Sequence, residues 1–270
     1  MITTASPAPA VPTVAAGTEL TVSATRLLTW LSCRLRYYFK YIAGITKPRT
    51  AALYVGHSVH GALKLWNKAR WRKESLTTES LKEKFDALWI SDQEQESVKW
   101  DKDEEPGEKQ TAWSLLDLYL RETPIPPNEM PEGVEVRVES DLAKHGLPKL
   151  IGILDLVRAG GHITDFKTVG QTPSEEKAVH TNEVQLSAYS VLYREATGKT
   201  EGGRELHQLV KLKTPKLIIT RQPPMTEGQR TRLFKQMESY VEGLARKDFV
   251  PSPGIQCAAC PYFTDCKTWS

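Results

Sequence analysis

Residues 151–170 read IGILDLVRAGGHITDFKTVG, two apolar runs joined by adjacent glycines. The composition of Leu150–Val157 and of His162–Thr168 predicts two strands, with Gly160-Gly161 as the tight turn between them. Side chains alternate along a strand, so Asp165 and Lys167 share one face while Phe166 points into the core. The turn can fold Asp155 back toward Asp165. Two carboxylates brought together repel unless a cation stands between them, and a hard cation such as Mg²⁺ or Mn²⁺ prefers oxygen ligands of this kind. The backbone carbonyl of Phe166 can add another oxygen. Lys167 can then orient an attacking water or neutralise a phosphate. The same spacing also suits two turn-flanking aspartates and an ordinary surface lysine.

Working outward, Val134, Val136 and Val138 alternate with Glu135, Arg137 and Glu139, which predicts a strand and completes a three-stranded antiparallel meander. Downstream, the pattern predicts a helix over 181–197, strands over 206–213 and 216–220, and a helix over 226–246. Gln185 and Tyr189 fall on one face of the first of these helices, where they can contact a phosphate, hold Lys167, or simply form a surface pair. Upstream, the four prolines of Pro124–Pro131 form an extended linker. Before it come helices over 24–43 (capped by Ser23), over 51–72, from Thr77 or Thr78, and over 111–121, with 101–110 a charged connector. His60 lies in GHSVHG, between Gly56 and Gly61, and reads either as a metal ligand or as a satisfied core histidine. The expected organisation is a tail over 1–20 and one domain over 21–270. That domain divides into a helical part (21–123), an α/β part (132–250) and a cysteine-bearing segment (251–270).

With 40% hydrophobic and 26% charged residues and seven Trp, the 270-residue chain suits a globular protein with a sizeable core. No apolar run approaches the roughly 18 residues of a membrane helix. The start, MITTASPAPAVPTVAAGTEL, lacks a basic segment and reads as no secretory signal, so a reducing cytoplasmic location is expected. Charge is segregated: residues 20–73 hold eleven of the 36 Lys and Arg and no Asp or Glu. Such a segment can attract a polyanion, or be a solvated helical surface paired with acids elsewhere. Arg26, Arg34, Arg36 and Lys40 are the candidate contacts to a nucleic acid, with Trp30, Tyr37 and Tyr38 able to stack on bases or to serve as core. Cys257, Cys260 and Cys266 read C-x2-C-x5-C, and Cys33 is the only other cysteine. Four thiolates can hold zinc or a [4Fe–4S] cluster, and spacing does not separate the two.

In order, SATRLLTWLSCRLRYYFKY, GHSVHGALKLW, GILDLV, TDFKT, QLSAY and CAACPYFTDC resemble the PD-(D/E)XK nuclease superfamily. The likeness is to its RecB-like branch with an iron–sulfur cluster: the CRISPR-associated RecB-like exonucleases, the AddB nuclease domain and eukaryotic exonuclease V. The resemblance implies an α/β restriction-endonuclease-like core, a mixed central sheet flanked by helices. It implies that His60, Asp155, Asp165 and the Phe166 carbonyl bind Mg²⁺ or Mn²⁺, that Lys167 is the signature lysine, and that Gln185 and Tyr189 belong to the motif that follows. It assigns Cys33, Cys257, Cys260 and Cys266 to a [4Fe–4S] cluster in preference to zinc. The implied activity is metal-dependent DNA hydrolysis, an exonuclease acting on single-stranded ends in recombination, repair, phage or CRISPR-related processing. The alternative is a non-catalytic DNA-binding adaptor that keeps the fold and the cluster.

Overall fold

The computed structural model describes residues 20–95 and 98–269, so the tail expected over 1–20 lies, Leu20 apart, outside the described residues. Among them no helix is long and apolar enough to cross a membrane. The chain divides into two compact units, one made of Met1–Lys47, Asp141–Leu150 and Phe234–Ser270, the other of Pro48–Ser140 and Ile151–Leu233.

The first unit opens with β1 (Thr21–Val22) and α1 (Ala24–Ser32), whose amino end is capped by the Ser23 hydroxyl accepting from the Arg26 amide at 3.3 Å. The single helix predicted over 24–43 is broken at Cys33. There the backbone turns extended (φ −165°, ψ 115°) and the sulfur accepts from the Arg36 amide at 3.5 Å, starting a new helix as a cap would. That helix, α2 (Arg34–Tyr37), runs into a π-helical turn, Tyr38–Ile42. Trp30, Tyr37 and Tyr240 pack edge to face with centroids 5.4–5.6 Å apart, and the two tyrosine hydroxyls share a 2.7 Å hydrogen bond. Leu35, Tyr38, Phe39 and Tyr262 form a second apolar cluster of the same unit.

The second unit continues with β2 (Arg49–Thr50), α3 (Ala51–Arg72), α4 (Thr78–Gln95), β3 (Val98–Lys99) and α5 (Glu104–Glu122). Helix α5 absorbs most of the connector predicted over 101–110. Glu104 and Glu105 complement the positive helix end, and Pro106 sits in the first turn, where its missing N–H costs nothing. Then come β4 (Gly133–Ser140), β5 (Lys149–Arg158), β6 (His162–Val169), α6 (Glu175–Thr181), α7 (Glu183–Thr197), β7 (Gly203–Val210) and β8 (Lys216–Gln222). The helix predicted over 181–197 is thus preceded by a separate turn of helix. The two meet at Asn182, whose side-chain amide donates to the Ala178 carbonyl at 2.8 Å and closes α6. Beyond them lie α8 (Glu227–Ala245) and, in the first unit, α9 (Phe263–Lys267).

The sheet is mixed. β5 and β6 are antiparallel about Gly160 and Gly161 (φ +75° and +70°), β6 and β7 are parallel, β7 and β8 antiparallel, and β4 pairs with β5. In the first unit, β1 pairs in parallel with Lys149 and Leu150. Two neighbouring parallel strands require a crossover, which α6 and α7 supply. Leu156, Phe166 and Leu209 face α3, α4 and α5 in the main core, whereas Leu206 packs with Ala178 and Leu186 on the opposite face. Helices therefore cover both faces of the central strands.

Below the main core runs a buried polar network. Arg158 pairs with Glu129 and with Glu205, each at 2.8 Å, Glu205 accepts from His207 at 2.9 Å, and His207 meets the Tyr119 hydroxyl at 2.8 Å. Arg70 donates to the Pro126 and Glu129 carbonyls at 2.9 and 2.7 Å, fixing the proline-rich linker against α3. Burial pushes the Glu205 carboxyl up, but the hydrogen bond from His207 and the charge of Arg158 outweigh it and hold it down to about 2. A depressed carboxyl stabilises the fold at pH above its unfolded value, and that contribution is lost as pH falls toward 2. Arg158→Ala takes the ion-pair partner from Glu129 and one of several partners from Glu205, and should lower stability by about 3 kcal/mol, read as a fall in the urea midpoint at pH 7. A midpoint unchanged at pH 7 would show that the network carries little of the fold.

Candidate active site

Helix α3 brings His60 over the β5–β6 pair at Asp155 and Phe166, away from the turn. Its Nε2 donates to the Phe166 carbonyl at 2.6 Å, and its Nδ1 lies 3.6 Å from Oδ2 of Asp155. That same carboxylate oxygen accepts from the Phe166 amide at 3.1 Å. Both backbone groups of Phe166 are therefore engaged by site side chains, while its ring is buried against Tyr119 and His207. Asp165, only 1% exposed, faces the other side of the sheet, toward α7. Its Oδ1 accepts from Gln185 Nε2 at 2.9 Å, and the Lys167 ammonium lies 3.0 Å from Oδ2. Lys167 also donates to Gln185 Oε1 at 2.8 Å, and Gln185 Nε2 donates to the Tyr189 hydroxyl at 2.8 Å. Gly152 lets α7 approach this closely, since a Cβ there would stand 2.6 Å from Leu192.

One residue of the site escapes the sequence reading. Glu135, His60 and Asp155 each offer a ligand atom, all within 4.8 Å of one another. Strict alternation along β4 gives no reason to set Glu135 apart from Arg137 and Glu139. Its backbone, however, leaves the strand region at φ +52°, a conformation costly for a residue with a side chain, and breaks that alternation. Asp165 does not join the three-residue group; it is held instead by Lys167 and Gln185. Burial and the nearby charge of Asp165 push the Asp155 carboxyl up to about 7, although His60, the Phe166 amide and Lys167 act in the opposite direction. Burial and the charges of Asp165 and Asp155 likewise raise the Tyr189 phenol, so it stays protonated at neutral pH. Carboxylates gathered this closely beside a histidine and a backbone carbonyl offer the oxygen-rich donors that suit a hard divalent cation.

The four cysteines line one cavity of about 50 Å³ in the first unit, with Leu35, Phe39 and Tyr262. Burial raises the Cys266 thiol, and the proximity of Cys33, Cys260 and Cys257 adds to that rise. Four thiols gathered around one cavity can hold a thiolate-bound metal centre. The basic residues of this unit are largely engaged. Arg34 pairs with Asp248, Arg26 donates to the Thr21 carbonyl at 3.3 Å, and Arg36 reaches the cysteine cavity. Lys40 is exposed beside the Tyr41 ring. Trp30, Tyr37 and Tyr38 are core, at most 7% exposed, and present no stacking surface.

Residues 21–267 match the family model of the PD-(D/E)XK nuclease superfamily. The chain belongs to that superfamily. Among solved structures it resembles a proposed exonuclease from Eubacterium rectale, with 14% identity, a TM-score of 0.61, and coverage of 90% of this chain and 87% of that one. At that identity the likeness speaks for the fold alone. SSO0001, also 14% identical over 89% of this chain and 93% of that one, superposes with a TM-score of 0.37, too low to support an argument. No curated protein matches the sequence significantly.

In a PD-(D/E)XK fold without bound metal, the elevated Asp155 has a thermodynamic signature. A carboxyl whose folded pKa is raised costs nothing below its unfolded value near 4, destabilises progressively up to about 7, and exacts its full penalty above that. Asp155→Asn should therefore raise the unfolding temperature of the metal-free protein at pH 8, by an amount worth on the order of a few kcal/mol. The gain should vanish near pH 4. A gain independent of pH would place its origin elsewhere.

Proposed function

We propose that this chain is a metal-dependent deoxyribonuclease of the RecB-like branch, acting as an exonuclease on single-stranded DNA ends and carrying a [4Fe–4S] cluster on its four cysteines. The observation that carries the reading is the convergence of His60, Asp155, Asp165 and Lys167 on the β5–β6 pair. His60, Glu135, Asp155, Asp165 and the Phe166 carbonyl would hold Mg²⁺ or Mn²⁺. When bound, that ion polarises a phosphate and makes an attacking water more acidic. The rest of the chemistry belongs to the chain. Lys167, held on one side by Asp165 and on the other by Gln185, keeps its ammonium fixed beside the reacting phosphate, where it orients water and offsets developing negative charge. Gln185 serves as the spacer: by contacting Lys167, Asp165 and Tyr189 at once, it sets the lysine without neutralising it. The neutral phenol of Tyr189 supports that amide from α7.

The four cysteines gathered at one cavity support a shared metal centre, which the family resemblance assigns to a cluster in preference to zinc, and its ligands would tie residue 33 to residues 257–266. Lys40 remains the exposed candidate among the DNA contacts of the first unit. Biological settings consistent with the reading are recombination, repair, and phage- or CRISPR-related processing. The test is an assay on 5′- and 3′-labelled single- and double-stranded oligonucleotides, with Mg²⁺, Mn²⁺ or a chelator. Stepwise shortening of the single strand only with metal is the expected result. Intact substrate under every condition, with metal content verified, would overturn the assignment of an active enzyme.

A further inference from the structure

Along α3, His60, Lys64, Lys68 and Arg72 recur every four residues. Each step advances about 6 Å and rotates about 40° around the axis, so the four side chains trace a shallow spiral away from the candidate metal group. Lys64 stands nearest, 41% exposed, with its ammonium 3.6 Å from Glu135. Lys68 and Arg72 open into a groove of about 410 Å³ that Lys84 of α4 lines from the other side. Among the described residues neither Lys68 nor Lys84 has an ion-pair partner. The single acid of the groove, Glu74, lies 4.0 Å from Arg72 with both side chains more than half exposed, so it compensates little. Leu65 and Leu76 add an apolar floor. Trp71, 48% exposed, falls on the same side of the helix as Lys64 and His60, seven and eleven residues away.

Repeated cations, an apolar floor and an exposed indole are the components of a single-strand platform: charges follow the backbone, while aromatic rings stack on bases. We infer that the ridge of α3 and its groove with α4 form the track of the substrate strand, Lys64, Lys68, Lys84 and Arg72 contacting successive phosphates and Trp71 stacking on a base. The inference rests on the nuclease reading and names where its substrate lies. Within the basic segment 20–73, it also moves the main contacts from Arg26, Arg34, Arg36 and Lys40 to the residues of α3. Twelve residues of helix span about 18 Å, so only a strand several nucleotides long can engage the whole ridge.

The experiment compares the full chain with the Lys68→Glu/Arg72→Glu double variant and with Trp71→Ala. Binding of a 20-nucleotide single strand is titrated without divalent metal over a range of KCl, and hydrolysis of bis(p-nitrophenyl) phosphate with Mn²⁺ is measured alongside. The double variant should bind the strand at least about tenfold more weakly, with a salt slope shallower by about 1.4, the value for two lost single-strand contacts. Trp71→Ala should weaken binding with its slope unchanged. Both should hydrolyse the small diester at the unaltered rate, which shows that they fold. A double variant that binds the strand normally overturns the track alone. Equal loss on the small diester overturns it too, by placing the effect in the active site. If the unaltered chain neither binds the strand nor cleaves the diester, the nuclease reading fails and the track with it.

Discussion

Lys167→Ala is expected to lower metal-dependent DNA cleavage by about a hundred- to a thousandfold, the usual cost of removing one preorganised charge from a transition state. The expectation follows from how the lysine is held. Its side chain is 29% exposed, and its ammonium lies 3.0 Å from Asp165 and 2.8 Å from Gln185, so the lysine is held in place yet partly open to solvent. A lysine whose only role was to neutralise Asp165 would not need an amide on its other flank. Single-turnover rates and strand affinity should therefore separate: the rate collapses while the dissociation constant moves by a few-fold at most. Lys167→Arg sharpens the test. It keeps the charge that Asp165 requires but not the compact ammonium, so stability should recover and the rate should not. If Lys167→Arg restores the rate, the residue acts as a counter-ion only.

Cys33→Ser should produce the largest effect on folding. A ligand-bound metal centre contributes its binding free energy to folding, about 10 kcal/mol or more for structural thiolate sites. The proposed cluster would tie residue 33 to residues 257–266, a long loop in the unfolded chain. Cys33 has a second duty, since its sulfur caps α2 where α1 ends. The variant should lose iron and visible absorbance together, and its first unit should unfold at markedly lower temperature. Iron analysis and absorbance of anaerobically purified protein provide the measurement. A colourless, iron-free wild type that is fully folded and loaded with zinc would sink the cluster assignment.

The β5–β6 pair was legible because every signal there is local: two apolar runs, two glycines and alternating polar positions settle the turn and the faces. The partners of His60 were legible only through the family resemblance, and Lys167 only as one of several options for Gln185, because a contact 106 residues apart leaves no mark in periodicity. Glu135 was invisible for a different reason. The Val134–Val138 alternation predicted an ordinary strand, and a single positive φ overrode it. One helix was read over 24–43 where Cys33 caps a new start after α1, and the short α6, closed by Asn182 ahead of the correctly placed α7, was not read at all. The aromatic residues of 30–38 were ambiguous in sequence, since a ring that stacks on a base and a ring that fills a core have the same composition. Their partners, Tyr240 and Phe249, lie some two hundred residues away.

The left-handed backbone at Glu135 also suggests a use. Glycine at that position would relax the main chain by about 1 kcal/mol while deleting one carboxylate, and asparagine at 155 would remove a second source of strain. Both changes push the same way, toward a sturdier molecule that has surrendered its cutting chemistry. If the proposed action on strand ends holds, such a blunted variant is a natural starting point for a reagent that captures loose DNA ends and leaves them intact.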